Sequence, residues 1–247
     1  MSIYPDQVLS LQTLLAQNAV SKTKAWWEGY MRGAIPFRGV GIPVIRKLLA
    51  EWRQVEGIAT WGLADQLGLA LQLFESPIAE DKLAGILFLQ DYLYDQFSWE
   101  ILLEKYAGLY ARGLIFDWNT CDWFCVRVLG PTIAKHGSAC ASALAAWAAA
   151  ENLWQARSAV VAFIPVTAES AYHPLIYTAC SRLIRREERF AKTAVGWILH
   201  DLSKLDETTV RQFVDQNLSF FSVEALNNAL KYFEAAERKE YLKKFKA

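Results

Sequence analysis

The apolar residues of this chain recur at intervals of three and four positions along almost its whole length. Leu11, Leu14 and Leu15 show this spacing near the start, and a similar series follows Pro43. Such intervals place apolar side chains on one face of an α-helix, whereas a half-buried strand alternates with a period of two. The pattern therefore predicts a series of amphipathic helices, with Pro43 in the first turn of one of them.

Residues suited to helix ends divide this pattern into segments, most of about 10 to 18 residues. Ser76 and Ser98 are predicted N-caps, which places Pro77 and Trp99 at the first helical positions. The clearest predicted breaks are Gly130-Pro131, His136-Gly137 and Ser203-Lys204. In the second half of the chain the predicted helices span 120–134, 138–150, 152–164, 170–184, 187–202, 207–217 and 222–245.

Two short segments also have features of strands. Residues 67–73 alternate Leu with smaller or polar residues, and residues 160–164 are rich in β-branched side chains. Leu and Ala favour helix, and the flanks of the second segment are helical in pattern, so we predict an all-α fold. About twelve to fourteen similar helices with short connections fit an α-solenoid of stacked HEAT-like helical hairpins with a concave face. No linker rich in Gly, Ser or Pro is evident, so residues 1–247 are predicted to form one domain.

Charge and cysteine content bound the possible functions. The chain has 26 basic and 26 acidic residues, and a net charge of zero gives no support for a nucleic-acid partner without excluding one. Cys121, Cys125, Cys140 and Cys180 have no ligand spacing to the three His residues, so we expect buried reduced thiols and no zinc site. We expect a cytoplasmic protein, since the first residues lack the features of a secretory signal and the apolar stretch 139–150 is too short to span a bilayer.

The most informative short stretch is 117–122, with the sequence Asp-Trp-Asn-Thr-Cys-Asp. On a helix, Trp118 and Asp122 lie one turn apart on the same face. An indole beside a carboxylate offers a π surface and a negative charge to a developing sugar cation. The structural alternative is a packed Trp beside a solvated or capping Asp.

Two later stretches also stand out. Asn152 opens an apolar helix that contains Arg157, whose guanidinium must reach solvent or meet a partner. Gly196 lies within a predicted helix beside Trp197. A glycine there costs about 1 kcal/mol relative to alanine, and it often permits the close approach of another group.

Together these stretches resemble the AlkD-like DNA glycosylases, a family of HEAT-like repeat enzymes that remove alkylated purines. Residues 118–122 resemble the family's Trp-x-Thr-x-Asp run, and residues 152–157 resemble its Asn-x-Trp-x-x-Arg helix start. Residues 194–197 read Ala-Val-Gly-Trp, as in the family, and residues 30–31 and 39–48 resemble its Tyr-Met pair and its Gly-x-x-x-Pro-x-x-Arg-Lys-Leu turn. The motifs follow in the family's order.

The resemblance implies an enzyme that hydrolyses the N-glycosidic bond of cationic N3- or N7-alkylated purines in duplex DNA. It would act as a monomer, without a metal or cofactor and without a deep pocket for a flipped base. Asp122 would stabilise the oxocarbenium-like sugar, with Trp118 and Trp197 flanking the lesion. Arg157 would grip a phosphate. The predicted DNA-binding residues are Tyr30, Arg46, Lys47 and Lys192.

Two other functions stay open at this point. A non-catalytic protein of the same fold would bind DNA and use Asp122 only structurally, and a HEAT scaffold would bind another protein, which the zero net charge fits. The arginines between Arg182 and Arg189 are interspersed with Glu187 and Glu188, which favours a solvated face over a DNA surface.

Overall fold

The computed structural model describes residues 3–246, and it confirms the predicted all-α class because this part of the chain contains helices and no strand. Residues 67–73, where a strand was considered, are helical, and residues 160–164 comprise the end of one helix, a turn and the start of a 3₁₀ segment. The chain forms two compact units, one ending at Val128 and the other beginning at Leu129. The single-domain organisation stays a prediction, and each unit is described separately below.

The first unit contains seven α-helices in the described residues. They are α1 (Pro5–Gln17), α2 (Ser21–Tyr30), α3 (Ile42–Val55), α4 (Leu63–Gln72), α5 (Ala79–Phe88), α6 (Trp99–Ala111) and α7 (Trp118–Phe124). Short 3₁₀ segments span Ile58–Thr60 and Leu73–Glu75, and a π-helical turn spans Leu89–Leu93. Alternate helices pack on one another, with α3 against α1 and α5, and α5 against α7. This alternation is the packing of an α-solenoid.

A buried aromatic group fixes α7 in this unit. The ring of Phe124, at the end of α7, lies edge-on to Phe74 and Tyr106, with centroid distances of 5.7 and 5.0 Å. All three side chains are fully buried. Large buried aromatic rings contribute strongly to core stability, and their edge-to-face geometry restricts rotation. The core therefore fixes the position of α7, the helix that carries Asp122.

A buried carboxylate locks the loop between α2 and α3. Glu80 is fully buried and accepts hydrogen bonds from the backbone N–H groups of Gly39 and Val40, at 2.7 and 3.0 Å. Gly39 has a φ of +97°, and a Cβ there would lie 2.4 Å from the carbonyl oxygen of Val20. The glycine of the 39–48 motif is thus required by close packing of the backbone.

The second unit contains α8 to α15 in the described residues. They are α8 (Gly130–His136), α9 (Ser138–Ala146), α10 (Leu153–Val161), α11 (His173–Leu183), α12 (Arg189–Leu202), α13 (Glu207–Asn217), α14 (Val223–Ala229) and α15 (Ala235–Lys246). Short 3₁₀ segments follow at Trp147–Ala149, Ile164–Val166, Ser170–Tyr172 and Leu218–Phe220. Alternate helices again pack together, α10 on α12, α12 on α14, and α9 on α11. The finer assignment to HEAT-type repeats stays a prediction.

Three predicted helix limits are wrong. Helix α5 begins at Ala79 and not at Pro77, because the hydroxyl of Ser76 donates to Asp81 and accepts from the N–H of Ile78. The break expected at Gly130-Pro131 is absent, since helical structure continues there through a π-helical turn, Cys125–Leu129. The segment 222–245 forms two helices, α14 and α15, instead of one.

Other local predictions are confirmed. Pro43 lies in the first turn of α3, and Trp99 begins α6 after Ser98, although the Ser98 side chain makes no capping hydrogen bond. Gly137 separates α8 from α9 with a φ of +74°. The four cysteines are buried thiols that form no disulfide with one another. No helix in residues 3–246 combines the length and apolarity that a membrane crossing needs.

Candidate functional site

The first turn of α7 confirms the helical spacing predicted for Trp118 and Asp122. Asp117 is buried and caps the helix, its Oδ1 accepting a hydrogen bond of 2.9 Å from the N–H of Thr120. Residues 119–121 are buried, whereas Trp118 and Asp122 are both half-buried. The indole and the carboxylate therefore lie on the partly exposed face of α7, one turn apart.

The helix changes form directly after this turn. Phe124 ends α7, and residues Cys125–Leu129 form the π-helical turn. Pro131 has no N–H to donate, so a regular α-helical ladder cannot continue unchanged through this stretch. Single π-helical turns are frequent at functional sites, where they reposition side chains. The prediction that Gly130-Pro131 ends a helix was therefore wrong.

A buried lysine lies behind the start of α7. Lys82 of α5 is almost fully buried, and its Nζ donates to the carbonyl oxygens of Phe74 and Leu114, the latter at 2.8 Å. Burial lowers the pKa of Lys82 to about 8, partly opposed by the negative charges of Asp117 and Asp81. The positive charge of Lys82 on α5 therefore interacts favourably with the negative charge of Asp117, which caps α7. This role of Lys82 was not predicted from the sequence.

An aromatic cluster surrounds Trp118. The ring of Tyr30, at the end of α2, meets Trp118 edge-on at 5.2 Å and stacks on Trp26 at 5.3 Å with an interplanar angle of 8°. Trp27 stacks on Phe37 at 5.4 Å, and a buried group of Met31, Ile35, Phe37 and Ala79 packs beneath Trp27 and Trp118. The structure thus brings together two predicted site residues, Tyr30 and Trp118.

Trp26, Trp27 and Phe37 were not singled out from the sequence. The signal for Trp26 was present, because it lies four residues before Tyr30 and positions four apart share a helix face. Trp26 and Tyr30 are 60% and 53% exposed, so this part of the cluster faces solvent. Phe37 lies on a loop, where helical spacing carries no information.

Arg46 and Lys47 are already engaged within the first unit. Arg46 forms an ion pair with Asp91, and its Nη2 donates to Gln90 at 3.2 Å. Nζ of Lys47 lies 3.7 Å from Oε1 of Glu51, one turn further along α3, and the Lys47 side chain is largely exposed. Surface pairs of this kind contribute about 0 to 1 kcal/mol, so a phosphate can displace them. Their predicted DNA contacts stay predictions.

In the second unit, Arg157 is buried and not open to solvent. It is 4% exposed, and its Nη1 donates to the carbonyl oxygen of Phe190 at 2.6 Å and to Oγ1 of Thr193 at 3.2 Å. Asn152, five residues earlier, caps α10 by accepting from the N–H groups of Trp154 and Gln155. The described contacts join α10 to α12. They support a positioning role, and the phosphate contact predicted for Arg157 stays a prediction.

Trp197 and Lys192 both lie half-buried on α12. Trp197 follows Thr193, the acceptor of Arg157, by one turn. Gly196 is explained by packing, since a Cβ at this position would lie 2.6 Å from the carbonyl oxygen of Ala225 on α14. The close approach that this glycine permits is therefore that of a neighbouring helix.

The arginines between 182 and 189 also make contacts inside the second unit. Arg186 donates to the carbonyl oxygens of Ala150 and Glu151, at 2.8 and 2.9 Å. Arg189 pairs with Glu224 through two hydrogen bonds of 2.7 and 2.6 Å. These contacts favour the structural interpretation of this basic run over a DNA surface. Within residues 3–246, no group of three or more His, Cys, Asp or Glu side chains is arranged to hold a metal ion.

Comparison with known proteins identifies the family of the chain. The chain matches the family of DNA alkylation repair enzymes over residues 11–233. In fold it is similar to a solved structure described as a predicted DNA alkylation repair enzyme from Enterococcus faecalis, with a TM-score of 0.76 and 21% sequence identity. That similarity covers 88% of this chain and 98% of the other. None of the curated proteins matches significantly. The family match spans most of the chain, which therefore belongs to the family of DNA alkylation repair enzymes.

Proposed function

We propose that this protein is a DNA glycosylase that hydrolyses the N-glycosidic bond of cationic N3- or N7-alkylated purines in duplex DNA. The observation that carries the proposal is the pair formed by Asp122 and Trp118 on the partly exposed face of α7. The Asp117 cap and the buried ring of Phe124 hold this helix at both ends. Such preorganisation is what electrostatic catalysis requires of a carboxylate.

The chemistry follows from the charge of the substrate. In the proposed step the bond between C1′ and the purine nitrogen breaks, and its electron pair neutralises the positive charge of the departing base. No general acid is needed. The sugar that remains has oxocarbenium character, which the Asp122 carboxylate stabilises, as carboxylates do in glycoside hydrolysis. A water molecule adds to C1′ and releases a proton, which leaves an abasic site.

The aromatic side chains bind the sugar and backbone around the lesion in this proposal. Trp118 offers a π surface to the developing cation, and Tyr30, which contacts Trp118, extends that surface. Trp197 and Lys192 on α12, together with Arg46 and Lys47 on α3, are the proposed further DNA contacts. Arg157 positions α12 through its hydrogen bonds to Phe190 and Thr193. Its contact with a phosphate is part of the same proposal.

We also infer the setting in which the enzyme acts. The abasic product is the substrate of the next step in base excision repair, and the reaction as written needs no cofactor. A monomer of HEAT-like repeats in the cytoplasm is the form we expect. Because the net charge is zero, we expect weak non-specific DNA binding that decreases as the salt concentration rises.

The direct test is base release. Purified protein is incubated with methylated duplex DNA, and free 7-methylguanine and 3-methyladenine are quantified against a heat-inactivated control. We expect release of at least one of these bases. Salt-dependent binding to the same duplex without release of either base would instead identify a non-catalytic DNA-binding member of the family.

A further inference from the structure

Helix α2 carries an aromatic stripe on its outer side. None of its residues is fully buried, and Lys22, Trp26 and Tyr30 follow one another at intervals of four. Positions four apart share one face of a helix, so the three side chains form a line along α2. Lys22 is exposed, as are both rings.

The two rings form a parallel stack that faces solvent. Trp26 and Tyr30 lie 5.3 Å apart between centroids with an interplanar angle of 8°, and they are 60% and 53% exposed. Trp27, the next residue, lies edge-on to Trp26 at 4.8 Å and to Tyr30 at 5.9 Å, and its ring stacks on Phe37. Trp27 thus packs α2 against Phe37, while Trp26 and Tyr30 each keep more than half of their surface exposed to a partner.

The charges around the stack indicate which kind of partner can bind there. Glu28, the acidic residue of α2, is engaged elsewhere, accepting from Nζ of Lys24 at 2.7 Å and from the N–H of Phe37 at 3.2 Å. The stripe itself carries the positive charge of Lys22, and Arg32 follows α2 as an exposed residue. A flat apolar surface beside cations is complementary to a nucleobase with its phosphates.

The stack also continues into the candidate site. Tyr30 meets the edge of Trp118 at 5.2 Å, and Asp122 lies one turn beyond Trp118 on α7. A base that unstacks from the duplex next to Trp118 would therefore find the exposed rings of Trp26 and Tyr30 in the same unit. We propose that the stripe of Lys22, Trp26 and Tyr30 binds an unstacked nucleobase of the DNA, with Trp26 as the stacking residue and Lys22 on the adjacent phosphate. This inference rests on the proposed function in assigning DNA as the ligand of this face.

Binding to unmodified DNA tests the proposal without relying on base release. Fluorescence anisotropy compares an intact duplex, the same duplex with a three-nucleotide gap, and the gapped duplex with abasic residues opposite the gap. Wild-type protein should prefer the gapped duplex with bases. Trp26→Ala should lose about 5- to 150-fold in affinity for that DNA, the range for one stacked base, and little for the intact duplex.

Three further variants serve as controls. Trp26→Phe keeps a stacking ring and should retain most of the preference for gapped DNA. Lys22→Ala should reduce the slope of log affinity against log salt by about one. Tyr232→Ala removes a similarly exposed aromatic ring, 49% exposed, from the second unit and should bind as wild type does. Thermal melting establishes that each variant is folded.

Two results would overturn the inference. One is a Trp26→Ala variant that binds gapped DNA within twofold of wild type, and the other is wild-type protein that shows no preference for gapped DNA over the abasic control. If the stacking preference fails while wild-type protein releases alkylated bases, the proposed function stands without this inference. If Trp26 is required for binding but no base is released, the glycosylase proposal fails alone.

Discussion

At the scale of single residues, the described contacts separate cations that are engaged within the protein from cations that are available. Arg46 and Lys47 pair with acidic side chains, and Arg157 is buried against α12. Arg32, by contrast, is exposed and forms no ion pair with the described residues. Its backbone has a φ of +52°, a left-handed conformation that costs a non-glycine residue about 1 kcal/mol or more. A strained, exposed cation beside an aromatic cluster is a candidate for DNA binding.

Replacement of Arg32 by glycine separates its structural role from its functional one. Glycine adopts this φ without strain but loses more entropy on folding, so Arg32→Gly should change the free energy of unfolding by less than about 1 kcal/mol. Affinity for duplex DNA at low salt should fall, and the slope of log affinity against log salt should decrease by about one. Urea denaturation and anisotropy titrations measure the two quantities. An unchanged salt slope would remove Arg32 from the DNA surface.

Whether the setting of a site residue could be predicted depends on how far along the sequence its contacts reach. The pairing of Trp118 with Asp122 follows from local helical spacing and could be predicted. The burial of Arg157 depends on Phe190 and Thr193, more than thirty positions away, and no local pattern encodes it. Similarly, the pair of Arg46 with Asp91 joins residues 45 positions apart.

At the scale of helices, the packing of α12 on α14 depends on Gly196. A methyl group at this position would lie 2.6 and 2.8 Å from backbone atoms of Ala225, which cannot move as a side chain would. Gly196→Ala should therefore reduce the free energy of unfolding by about 1 to 3 kcal/mol, despite the higher helix propensity of alanine.

Gly108 provides the matched control. It lies within α6, and a Cβ there would meet no atom within 4 Å. Gly108→Ala should stabilise the protein by up to about 1 kcal/mol. Urea denaturation of both variants decides the matter, and equal effects of the two substitutions would show that helix propensity outweighs the α12–α14 contact.

Helix existence was easier to predict than helix limits. Apolar periodicity repeats over many residues, so most helices were placed correctly. The limits depend on single side-chain bonds, such as that of Ser76 with Asp81, or on π-helical turns such as Cys125–Leu129. Apolar spacing alone does not reveal either.

At the scale of the whole molecule, Lys82 should make stability depend on pH. Its native pKa is about 8, whereas the unfolded chain has the ordinary lysine value of about 10.4. Between these values Lys82 is protonated more in the unfolded state than in the native state, so its contribution to the free energy of unfolding rises with pH in this window. Below pH 8 the native state bears the full cost of the buried charge.

The measurement compares wild-type protein with Lys82→Met by urea denaturation at pH 7.5, 8.5 and 9.5. The wild-type free energy of unfolding should rise relative to that of the variant as the pH increases. Burial also raises the pKa of Cys180, Tyr106 and Tyr177, so their contributions to stability fall as the pH rises above their ordinary pKa values, and the comparison with the variant cancels these contributions. A constant difference between the two proteins would show that Lys82 keeps its ordinary pKa in the native state.

The fold class and the family could be predicted from the sequence because each depends on many residues spread along the chain. The DNA partner was less certain, since a net charge of zero does not show where the charges lie. The chemistry depends on one carboxylate and its surroundings, and sequence can name that residue without establishing its role.

The central claim is therefore tested most directly at Asp122. Single-turnover release of 7-methylguanine from a duplex with one lesion is measured for wild-type protein, Asp122→Asn, and Asp95→Asn as a control carboxylate in the same unit. We expect the rate of Asp122→Asn to fall by about 100-fold or more, with affinity for the duplex equal to or above that of wild type, and Asp95→Asn to be unaffected. An Asp122→Asn variant that releases the base within threefold of the wild-type rate would contradict the account.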